Sequence, residues 1–82
     1  PTLHQTMQQV AARIRGGDRA FESMEREAME TLADAGFRPD YFAARRGDLL
    51  TAPEADAKPG ELRILAAAWL GKARLIDNIS VA

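Results

Sequence analysis

Few side chains in this sequence are able to do chemistry, and their spacing limits what they can do. Asp77, beside Asn78, is the first. When alternate residues of the segment 62–81 are assigned to one face, Asp77 is the only polar side chain on a face of apolar ones. A carboxylate so placed is either a general base or an acceptor for backbone N–H groups or Arg74, because leaving it buried without donors is costly. His4 is the single histidine, and no Cys, Asp or Glu stands beside it at the spacing of a metal site, so it reads as a surface residue. Glu22, Glu25, Glu27 and Glu30 lie close together with Arg26 among them, which is the pattern of a solvated helix face. Gly16-Gly17 lacks the preceding strand and the following Lys-Ser/Thr of a phosphate loop. The chain has no cysteine, hence neither a disulfide framework nor a thiolate metal site. These residues indicate no catalytic, cofactor-binding or metal site.

The elements that carry these groups follow from periodicity. Thr2 can cap a first helix, with Gln5 as reciprocal partner, and Leu3, Met7, Val10 and Ile14 form one apolar stripe. Gly16-Gly17 ends it. Asp18 suits the N-cap of a second helix, whose buried stripe is Phe21, Met24, Ala28, Leu32 and Ala35. Glu22, Arg26 and Glu30 are i,i+4 neighbours on its polar side. Gly36 and Phe37 then fit a Schellman stop, with Phe37 against Leu32. After Pro39, Tyr41–Arg46 reads as a strand with either Phe42 and Ala44 or Tyr41 and Ala43 facing the core. Residues 47–60 form a long loop, with Leu49 and Leu50 expected to pin its start to the core.

Propensity alone makes 61–70 a helix. A hairpin turning at Gly71-Lys72 accounts for more, since glycine supplies the positive φ of a type II′ turn. Pairing Leu70 with Ala73 puts Leu62, Ile64, Ala66, Ala68 and Leu70 opposite Val81, Ile79, Asp77, Leu75 and Ala73, all but one apolar. The other face is mixed, and Trp69 falls opposite Arg74, where the guanidinium can stack on the indole. The expected fold is α+β, one domain of 82 residues with two helices on a three-stranded antiparallel sheet. A net charge of −1 gives no reason to expect nucleic acid or an anionic membrane as partner, and no apolar run approaches the roughly 20 residues of a bilayer span. The rival to any enzymatic reading is an independent interaction module whose Arg63, Trp69 and Arg74 face, with Tyr41 or Phe42, meets a protein or single-stranded nucleic acid.

The run Leu65–Asn78, LAAAWLGKARLIDN, resembles the closing segment of the pantothenate synthetase (pantoate–β-alanine ligase) family, which has the form LAAxxLGxxRLIDN. AGFRPDYF at 35–42 is similar to that family's xGFxxDY joint. Arg45 and Asp48-Leu49 fall where it has RDADTL, with Arg46-Gly47 in place of Asp-Ala. The resemblance covers nearly the whole chain but only the C-terminal part of a longer enzyme. It implies the lid domain of a cytoplasmic enzyme whose N-terminal nucleotide-binding domain would hold ATP and Mg2+ and join pantoate to β-alanine through a pantoyl adenylate. It further implies that this segment alone is inactive, with the N-terminal domain of the same chain as partner and a homodimer as the full-length assembly. No catalytic position of the family falls on these residues. The basic residues Arg45, Arg46, Lys72 and Arg74, all expected at strand ends, are the candidate lid rim facing the cleft, their alternative being a charged edge that discourages strand addition. Asp77 and Asn78 are expected as structural polar residues.

Overall fold

The computed structural model describes residues 2–82. Helices α1 (Thr2–Arg15) and α2 (Phe21–Asp34) precede strands β1 (Arg38–Arg46), β2 (Leu62–Leu70) and β3 (Ala73–Ser80), with a short 3-10 turn at Pro59–Glu61. The sheet order is β1-β2-β3 and both pairings are antiparallel, so the α+β architecture with two helices on a three-stranded sheet is the one found.

The hairpin has the expected register, Leu70 with Ala73 through Arg63 with Ser80. Gly71 takes φ 62 while Lys72 stays at negative φ, which is the II′ pattern rather than I′. The helix propensity of the alanine-rich stretch is overridden by burial: Leu62, Ile64, Ala66 and Ala68 alternate into the core with Met7, Ile14, Met24, Leu32 and Val81. The apolar face does not stay buried to its end. Leu70, Ala73 and Leu75 are exposed, because the tip of the hairpin reaches beyond the helical layer. Ala67, on the opposite face of the central strand, is nonetheless fully buried, being flanked by Tyr41 on β1 and Ile76 on β3.

On β1 the core side is Phe42 and Ala44. The strand starts at Arg38, ahead of the expected Tyr41, and Pro39 is tolerated because β1 is an edge strand. A bulge between Pro39 and Tyr41 leaves Asp40 without a cross-strand partner.

Both helices end in Schellman stops. Gly17 has φ 106, and the N–H of Asp18 reaches the Arg13 carbonyl; Gly36 has φ 94, and the N–H of Phe37 reaches the Leu32 carbonyl. Phe37 packs on the core cluster that contains Leu32. The starts differ from expectation. Thr2 lies inside α1 rather than ahead of it, and its carbonyl accepts a bond from the Thr6 hydroxyl at 2.8 Å. The N-cap of α2 is Ala20, not Asp18; Asp18 closes a tight turn by accepting the Ala20 N–H at 2.9 Å and also takes the Arg13 guanidinium at 3.0 Å. Ala35, expected in the buried stripe, is exposed because the helix is already ending there.

Leu49 and Leu50 do not anchor the long loop: Leu49 is 74% exposed and Leu50 is also exposed. Backbone bonds hold the loop instead, from the Arg46 N–H to the Thr51 carbonyl and from the Leu50 N–H back to the Arg46 carbonyl, both 2.9 Å. Leu50 adopts φ 56 to make them, a conformation that costs a non-glycine residue roughly 1–2 kcal/mol.

The glutamate cluster on α2 is not uniformly solvated. Glu25 turns towards the sheet, where its carboxylate accepts the Ala44 N–H at 2.8 Å and pairs with Arg45 at 3.2 Å. Arg26 reaches Ser23 rather than Glu22 or Glu30. Replacing Glu25 with Ala should lower stability by about 1–3 kcal/mol, the usual cost of an orphaned polar group. Glu25→Gln keeps an acceptor oxygen and should cost less. Urea unfolding followed by Trp69 fluorescence measures both, and equal stability of Glu25→Ala and the parent chain would show that this bond contributes nothing.

Candidate functional site

The four basic residues expected on one rim lie at two ends of the sheet. Arg45 and Arg46 close β1 opposite Arg63 and Leu62, whereas Lys72 and Arg74 lie at the hairpin turn beside Trp69. Along β2 the two ends are separated by roughly 20 Å at about 3.3 Å per residue. Three of the four are already engaged. Arg45 bonds Glu25 and the Ala44 carbonyl, Arg46 pairs with Asp48 at 2.8 Å, and Arg74 pairs with Asp40 at 2.8 Å. Lys72 makes no ion pair among the described residues.

The Arg74–Asp40 pair displaces the stacking expected from the sequence. Trp69 lies between Arg38 on β1 and Arg74 on β3. Arg38 takes the indole, its guanidinium carbon 5.5 Å from the ring centroid. Arg74 turns to Asp40, donating through Nε and Nη2 to one carboxylate oxygen. A charge-assisted hydrogen bond is stronger than a cation–π contact at an exposed site, so the arginine within reach of a carboxylate uses it. The missed signal was Asp40, which the bulge brings within reach of β3.

Asp77 acts through its donors. Its Oδ1 accepts the Asn78 N–H at 2.7 Å, and its Oδ2 accepts from His4 Nδ1 at 3.1 Å. Arg74 is not among its partners. Gln8 Nε2 lies 3.2 Å from His4 Nε2, an arrangement that assigns the proton to Nδ1 and leaves Nε2 accepting from Gln8. A histidine serving as base needs a free nitrogen, and here both are occupied. The contact fastens the start of α1 to β3. Sequence reasoning treated His4 as a plain surface residue because its partner lies 73 positions away; the available clue was that Asp77 had to find a donor. Asn78 accepts from Arg63 Nε at 2.7 Å, linking β3 to β2 on the outer face.

Among the described residues no group of three or more His, Cys, Asp or Glu side chains is arranged to hold a metal ion. A hollow of about 490 Å³ lies at the start of α2, between Arg19, Phe21, Ser23, Glu25, Arg45 and Pro53. Both arginines there are committed to internal carbonyls, Arg19 to Ile14 at 2.7 Å and Arg45 to Ala44 at 2.7 Å. No helix of the described residues is long and apolar enough to cross a membrane.

The profile of the family described as Pantoate-beta-alanine ligase matches residues 1–80. The chain belongs to the pantoate–β-alanine ligase family. It is similar to the pantothenate synthetase of Nitrobacter hamburgensis, with 47% identity over 81 residues that cover 99% of this chain and 28% of the relative. The pantothenate synthetase of Alkalilimnicola ehrlichii is 46% identical over 83 residues, with the same shares. That of Methylococcus capsulatus is 46% identical over 79 residues, covering 96% of this chain and 27% of the relative. The chain thus spans little more than a quarter of the length of these relatives, and it corresponds to their C-terminal part. Within this member of the pantoate–β-alanine ligase family, the run Leu65–Asn78 spans the hairpin turn and the paired residues on either side of it, from Leu65 opposite Asn78 to Leu70 opposite Ala73.

The His4 hydrogen bond first, and the Asn78 N–H second, hold the Asp77 carboxyl below its ordinary range. A carboxylate with a depressed folded-state pKa stabilises the fold above its unfolded pKa, and that contribution is lost as pH falls through the folded value. The urea midpoint of the parent chain should therefore exceed that of Asp77→Asn by a constant margin near neutrality, and the margin should shrink under strongly acid conditions. A margin independent of pH would show that the charge of Asp77 has no part in it.

Proposed function

We propose that this chain is the C-terminal lid portion of an ATP-dependent pantoate–β-alanine ligase. The family match over residues 1–80, at little more than a quarter of the relatives' length, carries the reading. In it, the remaining part of the enzyme binds ATP with Mg2+ and activates pantoate as an acyl adenylate, releasing pyrophosphate. The amine of β-alanine then attacks the adenylate carbonyl and AMP leaves. Water competes with the amine for that carbonyl, so a domain closing over the site serves by excluding water and fixing the substrates rather than by supplying a nucleophile. The chain's contribution is a rigid cover: a sheet backed by two helices, with basic side chains at both of its ends. Lys72 is the cation best placed to meet a substrate phosphate, since Arg45, Arg46 and Arg74 must first release internal carboxylates. The assembly is a cytoplasmic enzyme, and a homodimer when complete.

A chimera tests this reading. The corresponding C-terminal part of the Nitrobacter hamburgensis pantothenate synthetase is replaced with this chain, and AMP and pantothenate are measured separately. The chimera should make both in equal amounts. Deleting the segment should lower pantothenate formation and raise the AMP released per pantothenate, as the adenylate is lost to water. In the chimera, Lys72→Ala should raise KM or lower kcat, and if Ala at each of positions 45, 46, 72 and 74 left both constants unchanged the rim would have no part in catalysis. The 82-residue chain alone should not turn over ATP, pantoate and β-alanine; turnover by it would overturn the proposal.

A further inference from the structure

The sheet is covered by helices on one face only. Helices α1 and α2 pack on the side that carries Phe42, Ile64 and Ala66, and no helix lies on the other. On that open face Tyr41, Leu65 and Ile76 surround the small side chains of Ala43 and Ala67. Tyr41 is 39% and Ile76 63% exposed, so the middle of the face is apolar and open to water. Each end of it is basic. Arg38 stands opposite Trp69 at one end, and Arg63, six residues along β2 from Trp69, stands at the other, about 20 Å away at about 3.3 Å per residue. No Lys or Arg lies between them on this face.

These two arginines differ from the others of the face in their partners. Arg74 takes Asp40, and Arg45 takes Glu25 of α2. Among the described residues neither Arg38 nor Arg63 pairs with a carboxylate: Arg38 lies over the Trp69 ring, and Arg63 donates to the Asn78 amide oxygen at 2.7 Å. The open face therefore offers an apolar strip with an uncompensated guanidinium at each end. Its complement is an apolar stripe with a carboxylate at each end, because cations there would be repelled and a neutral stripe would cover the guanidinium groups without pairing them. Shape selects the rest. Three strands about 4.8 Å apart are roughly 10 Å wide, the diameter of one α-helix, and a helix is an element that packs on a sheet face. A single-stranded nucleic acid fits less well, since its phosphates need cations along the whole track and the middle of this face has none.

We propose that the open face of the sheet docks an acidic amphipathic helix of a partner protein, laid along β2. The apolar stripe of that helix rests on Tyr41, Leu65 and Ile76. Two carboxylates at the ends of the stripe, about 13 residues apart at 1.5 Å per residue, meet Arg38 and Arg63. Arg38 is already held over Trp69, so it loses little freedom on pairing. The interface is small, one helix against three strands, so the complex is transient. The proposal uses neither Lys72 nor any step of the ligase reaction, and it can fail while the lid reading holds.

The probe is a synthetic helical peptide, free of Trp and Tyr, with Leu and Ala along one face and a Glu at each end of that face. Trp69 is the only tryptophan of the chain, and its emission reports docking at this face. Titration should shift Trp69 emission in the 82-residue chain. A fluorescein-labelled form of the peptide should also bind the chimera with the Nitrobacter hamburgensis enzyme, with affinity falling as salt is raised. Arg38→Glu and Arg63→Glu should each weaken binding about fivefold, the scale of one exposed ion pair. A peptide with Lys in place of each Glu should bind the double variant better than it binds the parent chain. Circular dichroism establishes that the variants are folded, and comparing the Glu and Lys peptides on the parent chain needs no variant. Unchanged Trp69 emission at millimolar peptide overturns the proposal, as does equal binding of the two peptides by the parent chain. Binding by the isolated chain but not by the chimera also overturns it, because the rest of the enzyme then covers the face. So does tighter binding of a single-stranded oligonucleotide than of the peptide, or a Trp69 shift produced by raising the concentration of the chain alone, which would assign the face to a second copy.

Discussion

The constraint on which the structure depends is the position of β2 between two antiparallel neighbours. A central strand has its backbone groups alternately committed to either side, so its register can shift on neither side without breaking a ladder. The turn at Gly71 sets one ladder, and the bulge at Asp40 adjusts the other. Once both are set, Leu62, Ile64, Ala66 and Ala68 face the helices, and a slip of one residue would exchange them for Arg63, Leu65, Ala67 and Trp69. The helices complete the core but do not choose its register. Their apolar stripes present Met7, Ile14, Met24 and Leu32 to whatever face the sheet offers.

Carboxylates then fasten the layers together. Glu25 reaches from α2 to the backbone of β1, and Asp77 reaches from β3 to His4 on α1. Each also accepts an outward-pointing backbone N–H of an edge strand, Glu25 from Ala44 and Asp77 from Asn78. A charge turned inward on an edge strand is one way in which sheets resist unwanted pairing, and it explains a polar residue on the apolar face of β3 without invoking catalysis. The arginines follow the same logic. Where a carboxylate is within reach, as for Arg13, Arg45, Arg46 and Arg74, the guanidinium takes it, and Arg38, which makes no such pair among the described residues, stacks on Trp69.

What was legible in the sequence was the local and periodic part. The apolar stripe of α1, the glycine stops of both helices and the full register of the hairpin depend on spacing within short windows, and all are found. The misreadings concern contacts between distant segments. His4 and Asp77 are nearly a whole chain apart, and no pattern in either neighbourhood announces the other. Glu25 was grouped with three other glutamates because helix periodicity cannot distinguish a solvated carboxylate from one that meets a strand edge. Arg74 was assigned to Trp69 by cross-strand register alone, and the register did not include the bulge that presents Asp40. Leu49 and Leu50 were expected in the core because they are apolar, yet backbone bonds fixed the loop first and left both side chains outside.

A cover that must close repeatedly over a site needs to be rigid in itself and loosely attached elsewhere. The proposed lid role would draw on internal features this chain has: a sheet held from both ends, helices stopped sharply by Gly17 and Gly36, and arginines paired internally. Internal pairing bears on how such a surface can meet phosphate. A guanidinium already bonded to a carboxylate must exchange one anion for another, so the net gain is the difference between two strong interactions and not the whole of one. An unpaired ammonium at a turn loses only water. In the proposed lid role Lys72 would therefore be the more responsive group, although Arg74 two residues away carries the same formal charge, and formal charge alone is a poor guide to where such a surface binds.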